Sequence, residues 1–95
     1  MEKFVVTLLL IFQILLTGCS STPQLSPLPD DAVVLAFGDS LTAGTGAAPE
    51  ASYPAVLSRL IRRTVVNAGM PGEVTAAGLA RLAETLDRGK PALVL

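Results

Sequence analysis

Apolar and polar positions fall into successive blocks along the chain. Residues 5–16 are apolar except for Thr7 and Gln13, and residues 20–31 are rich in Ser and Pro, the pattern of an extended tether. Ala32–Phe37 is a short continuous apolar run between Asp30-Asp31 and Gly38, which predicts a strand buried on both faces. Gly38, Gly44, Gly46 and Pro49 then predict a loop as far as about Ser52. Over residues 53–63, Val56, Leu57, Leu60 and Ile61 recur at helical spacing, with Pro54 in the first turn, while Arg59, Arg62 and Arg63 lie off that stripe as a solvated face. Thr64–Asn67 predicts a second buried strand ending at Ala68-Gly69, and Met70–Glu73 a second loop. Thr75 is the candidate N-cap of a second helix whose buried face would carry Leu79, Leu82, Ala83 and Leu86. Gly89 and Pro91 end that helix, and Glu84 and Arg88 can pair at i,i+4. Ala92–Leu95 begins a third buried strand. The order β-α-β-α-β predicts an α/β fold with a parallel sheet and helices on its faces.

The first block changes the domain count. An apolar run of this length is short of the roughly 20 residues that span a bilayer, and with Lys3 before it the run suits the h-region of an export signal. Leu16-Thr17-Gly18-Cys19 resembles a bacterial lipobox, which implies cleavage before Cys19 and attachment of diacylglycerol to its thiol. Cys19 is the only cysteine of the chain, so it has no internal disulfide partner. Ser20 after it implies, by the same resemblance, the periplasmic face of the outer membrane. The division expected is a signal peptide over 1–18, a lipidated cysteine and tether over 19–31, and a folded part over 32–95. A net charge of −1 gives no basis for nucleic acid as a partner, so the membrane contact would be the lipid anchor.

Chemistry enters at Gly38-Asp39-Ser40-Leu41, directly after the first strand. In open α/β sheets ligands bind beyond the carboxyl ends of the strands, so a serine there sits at the rim of a site. A serine nucleophile needs a base for its proton and preset donors for the oxyanion, commonly backbone N–H groups. Gly38 permits a tight exit where a Cβ could clash. Asp39 adjoins the serine in sequence, and neighbouring side chains diverge, so it is not read as the acid of a triad. Taken alone, the four residues also fit a polar turn or a helix N-cap.

Phe37–Gly44 (Phe-Gly-Asp-Ser-Leu-Thr-Ala-Gly) resembles the first block of the SGNH, or GDSL, hydrolases, in particular the lysophospholipase and arylesterase branch. Tyr53–Leu57, Val65–Thr75 and Gly78–Leu82 resemble the following segments in order and spacing. The resemblance implies a three-layer, flavodoxin-like fold, of which residues 32–95 are the first β-α-β-α-β portion. It implies Ser40 as nucleophile and one oxyanion N–H, Gly72 as a second oxyanion N–H with Gly69 as competitor, and no cofactor. Where the family commonly has Asp-Thr after that glycine, this chain has Glu73-Val74. The family's Gly-x-Asn-Asp and Asp-x-x-His blocks are not in these residues, and the chain has no histidine. The expectation is therefore the front part of an exported esterase acting on small carboxylic esters, lysophospholipids or thioesters, inactive by itself.

Two other readings compete. The 95 residues could be a noncatalytic lipoprotein remnant, since serine without a base is a poor nucleophile. They could instead form a flavodoxin-like module with Gly38–Gly46 around a phosphate or flavin, although that loop lacks the lysine and glycine spacing of a P-loop.

Overall fold

A computed structural model describes residues 1–16, 18 and 21–95. Cys19, the expected lipidation site, lies outside the described residues. The first element is helix α1 (Glu2–Leu16), whose Phe4, Leu8 and Phe12 are exposed. Among the described residues no helix is long and apolar enough to cross a membrane.

The folded part begins with β1 (Val33–Gly38), followed by a four-residue helix α2 (Ser40–Ala43), a 3₁₀ turn (Pro49–Ala51), α3 (Tyr53–Ile61), β2 (Thr64–Gly69), α4 (Thr75–Gly89) and β3 (Leu93–Val94). The sheet is parallel in the order β2-β1-β3, with Val34 opposite both Val65 and Leu93. Hydrogen bonds from Ala92 N–H to Val33 O and from Phe37 N–H to Leu95 O extend the β3 pairing beyond its two strand residues. Right-handed crossovers running in opposite directions place α3 and α4 on opposite faces of β1. Val34, Leu35 and Ala36 are almost fully buried, which is why the central strand reads as an unbroken apolar run.

Several expectations need correction. The loop expected over 38–52 contains α2 and the 3₁₀ turn. The helix expected to reach residue 63 stops at Ile61, because Arg62 caps it in the left-handed region, φ 52°. Leu60, expected on its buried stripe, is exposed. β2 is not buried: it is an edge strand, with Thr64, Val66 and Asn67 open to solvent. Thr75 is the first residue of α4 rather than its cap, since Val74 holds that position and its carbonyl accepts from Ala77 and Gly78 N–H. Leu79 and Ala83 are exposed, and α4 instead turns Gly78, Arg81, Leu82, Thr85 and Leu86 inward. Arg63 is not a free surface cation. Its guanidinium donates to Pro29 O at 2.6 Å, Leu28 O at 3.3 Å and Asp30 Oδ1 at 2.7 Å, which fastens the last part of the expected tether to the start of β2. The Glu84–Arg88 pair forms as the spacing predicts.

Candidate active site

The site is built where β1 ends. Chain direction changes at Gly38, and the next three residues are an N-cap and the first turn of α2. Asp39 is that cap: its Oδ1 accepts from Leu41 N–H at 3.0 Å. Its carboxylate thus serves the local backbone, and its position beside Ser40 in sequence does not make it a partner of the hydroxyl. Ser40 is the first residue of α2, half-buried, and its carbonyl accepts from Gly44 and Thr45 N–H. Among the described residues the Ser40 hydroxyl makes no hydrogen bond, and it is free to meet a base or a substrate. Leu41 is 83% exposed and packs nothing, whereas Thr42 is buried with its Oγ1 3.4 Å from Tyr53 Oη.

Two close approaches hold α2 in place. A Cβ on Gly38 would stand 2.2 Å from Thr42 Oγ1, so the exit from β1 is too tight for any side chain. A Cβ on Gly69 would stand 2.1 Å from Ala43 N, so α2 rests with its backbone directly on the end of β2. Asn67 locks the same junction, its Oδ1 accepting from Gly69 N–H at 2.9 Å and its Nδ2 reaching Ala43 O at 3.5 Å. That bond uses the Gly69 N–H, which distinguishes it from Gly72. Gly72 is exposed in the turn after β2 at φ +76°, and its N–H finds no partner among the described residues.

The loop carrying Gly72 is tied to the loop carrying Ser40 by contacts the sequence reading did not foresee. Met70 N–H donates to Gly38 O at 2.9 Å. Glu73 receives both Nε of Arg81, at 2.6 Å, and its Nη2, at 2.7 Å, in a forked pair. The same Nη2 reaches Ala68 O at 2.9 Å and Gly38 O at 3.2 Å. With two protons for three acceptors, it must share one of them. The guanidinium carbon also lies 4.1 Å from the centroid of the Phe37 ring. The hydrogen bonds from Arg81 hold the Glu73 carboxyl below the usual glutamate range, against the opposing effects of burial and of the Asp39 charge. They correspondingly raise the Arg81 guanidinium. The only sequence signal for this pair was the departure at Glu73 from the commoner aspartate.

Two open cavities flank the region. One of about 600 Å³ lies between α4 and the β2 edge, lined by Leu35, Val66, Met70 and Thr85, and does not include Ser40. The other, about 340 Å³, is lined by Phe37, Gly38, Asp39, Glu73, Val74 and Leu79 and so adjoins the turn that carries the serine. Ser40 lines neither cavity, but the second has the better claim to function, because Gly38 and Asp39 in its wall directly precede the serine. Among the described residues no group of three His, Cys, Asp or Glu side chains could hold a metal ion.

A parallel sheet whose central strand delivers Gly-Asp-Ser-Leu into a helix turn, with a second loop fastened beside it, is an arrangement shared with the SGNH hydrolases. The chain belongs to the GDSL-like lipase/acylhydrolase family, which it matches over residues 36–95. Among curated proteins it is similar to an arylesterase of Vibrio mimicus, 40% identical over 67 residues that make up 65% of this chain and 34% of that one. It is also similar to the esterase TesA of Pseudomonas aeruginosa, 34% identical over 87 residues, 86% of this chain and 43% of that one. Among solved structures it resembles AlinE4, an SGNH-hydrolase family esterase, with a TM-score of 0.63 and 41% identity over 72% of this chain and 40% of that one. The chain thus spans less than half the length of the relatives it matches.

Proposed function

We propose that Ser40 is the nucleophile of a serine esterase and that residues 32–95 supply the backbone half of its active site. The observation that carries this reading is the position of Ser40: it opens α2 immediately beyond the carboxyl end of the central strand, with an unengaged hydroxyl. In this reading Ser40 Oγ attacks the ester carbonyl as a histidine takes its proton. The tetrahedral oxyanion is held by the N–H groups of Ser40 and Gly72, and collapse expels the alcohol to leave an acyl-enzyme. The serine proton leaves with the alcohol; water, giving a proton to the histidine, then attacks the acyl-enzyme, and that proton passes to Ser40 Oγ as the acid is released. Residues 1–95 hold no histidine, so the proposal assigns the base, its orienting acid and any asparagine donor to sequence outside them. The names of the relatives, an arylesterase and an esterase, support carboxylic esters as substrates. Lysophospholipids and thioesters remain within the same chemistry.

The test uses the protein as made from its own gene. A fluorophosphonate should label one serine, found by mass spectrometry in the peptide containing Ser40, and Ser40→Ala should abolish both labelling and hydrolysis of p-nitrophenyl butyrate. Unchanged hydrolysis by Ser40→Ala would refute the mechanism.

We further infer that residues 1–18 are an export signal and that Cys19 carries diacylglycerol on the periplasmic face of the outer membrane. The lipobox-like Leu16–Cys19 and the apolar run before it support this. The mature protein should enter the detergent phase, and Cys19→Ser should move it to the aqueous phase. An unmodified cysteine in the mature N-terminal peptide would rule the anchor out.

A further inference from the structure

We propose that Glu73 and Arg81 are positioning residues that clamp the loop after β2 onto the end of β1, fixing the backbone of both loops around Ser40. The role rests on the esterase reading above.

Four observations converge on it. First, the pair is sequestered: the side chains of Glu73 and Arg81 are 9% and 23% exposed, though both residues carry charge. Withdrawing an ion pair from water costs desolvation that its attraction barely repays, so a pair kept there is better explained by the geometry it imposes than by stability. Second, one guanidinium joins three separate stretches of the chain, two through backbone carbonyls and one through a side chain. It takes the Gly38 carbonyl from β1, the Ala68 carbonyl from β2, and the carboxylate of Glu73 in the loop itself. Third, room has been left for the carboxylate. A Cβ on Gly78 would lie 3.2 Å from Glu73 Oε1, so the carboxylate would have to give by a few tenths of an ångström, while Phe37 Cε1 at 3.7 Å is in ordinary contact. Fourth, the clamped atoms adjoin the reacting ones in sequence. Gly38 is two residues before Ser40, and Glu73 directly follows Gly72, whose turn has no other fastening to α4 among the described residues.

The consequence is kinetic. Oxyanion donors act only when preset at the place where charge develops, and a misplacement of about 1 Å costs on the order of 10²-fold in rate. Lysine cannot replace the arginine, because an ammonium has no planar fork to serve a carboxylate and two carbonyls together. Aspartate can partly replace the glutamate, since it keeps the charge on a stem shorter by one methylene.

The experiment measures steady-state hydrolysis of p-nitrophenyl butyrate by the protein from its own gene, with Ser40→Ala alongside and folding checked by circular dichroism. Glu73→Gln and Arg81→Lys should each lower kcat by about 10- to 100-fold while KM moves less than about threefold. Glu73→Asp should recover most of the loss seen in Glu73→Gln. The double variant Glu73→Gln/Arg81→Lys should lose no more than the worse single one, because the two act as a unit. Folded single variants with kcat within about twofold of the parent, or with only KM changed, would overturn the proposal. If Glu73→Gln fails to fold, Arg81→Lys, which keeps both charge and stem, decides the question. Should Ser40→Ala retain hydrolysis, the esterase reading falls and this proposal with it; an inactive Ser40→Ala beside active clamp variants sinks the clamp alone.

Discussion

Gly38→Ala offers the sharpest check on the geometry at the end of β1. The added methyl would stand 2.2 Å from Thr42 Oγ1 and 3.0 Å from Thr42 Cβ, where ordinary contacts begin at about 3.5 Å. More than an ångström must therefore be found. Gly38 does not have a positive φ, so backbone strain adds nothing and the cost is steric. Thr42 has nowhere to retreat: it is buried, and its Oγ1 faces the Tyr53 hydroxyl. Overfilling a packed site costs about 1–3 kcal/mol, and relief by sliding α2 would carry Ser40 with it. Thr42→Ala removes Oγ1 and Cγ2 and leaves only the 3.0 Å contact. Urea unfolding of Gly38→Ala, Thr42→Ala and the double variant should therefore be non-additive, the second substitution recovering about 1 kcal/mol or more in the Gly38→Ala background. Fluorophosphonate labelling of Ser40 should slow by about 10²-fold in Gly38→Ala and recover in part in the double variant. If the two free-energy changes add to within about 0.5 kcal/mol, the clash described here does not limit the site.

Other substitutions separate backbone from side-chain causes. Gly69→Ala would drive its methyl against Ala43 N at 2.1 Å, so it should destabilise by about 3 kcal/mol or more in the same urea assay, and no side-chain truncation should rescue it. Gly72→Ala meets nothing within 4 Å but stands at φ +76°, so its cost should be only the left-handed penalty, about 1–2 kcal/mol. Equal losses at positions 69 and 72 would contradict both statements. Glu73 titrates below its unfolded value, so its contribution to stability is present above the unfolded value of about 4.3 and is lost as pH falls through the lower folded one. The stability gap between the parent and Glu73→Gln should accordingly be larger at pH 7 than at pH 3, and a gap independent of pH would refute the pairing. Arg63→Ala releases three contacts to residues 28–30, and limited proteolysis should then cut near Pro29 faster than in the parent.

What could be read from the sequence divides along physical lines. β1 was legible because a strand covered on both faces must be apolar throughout, and Pro54 marked the start of α3 because only a first turn tolerates it. The short helix α2 was not legible, since four residues are too few for any hydrophobic period. Its cap, Asp39, was visible only as one of several meanings of Gly-Asp-Ser. β2 misled because Val65-Val66 looks the same on an edge as in a core. The face of α4 was misjudged for a more specific reason. Periodicity gives weight to Leu79 and Ala83, but the helix is oriented by Gly78 and Arg81, and a hydrophobic count gives no weight to a glycine that makes room or to an arginine that reaches inward.

That error has a bearing on how the site is assembled. In a parallel sheet all strands end on the same side, so the order β2-β1-β3 by itself brings the loops after β1 and β2 together. Adjacency of loops does not set the direction of an N–H, and the sheet hydrogen bonds stop at Gly38 and Gly69. Beyond those residues the backbone is held by Met70 N–H on Gly38 O, by Asn67 on Gly69, and by Arg81 on Glu73 and two strand-end carbonyls. The hydrophobic pattern therefore specifies the sheet, while polar side chains with no periodic signature specify the rim to which the proposed chemistry is assigned. Substituting them should alter rate more than fold, which is the reverse of what is expected for Val34 or Leu35 in the buried strand beneath.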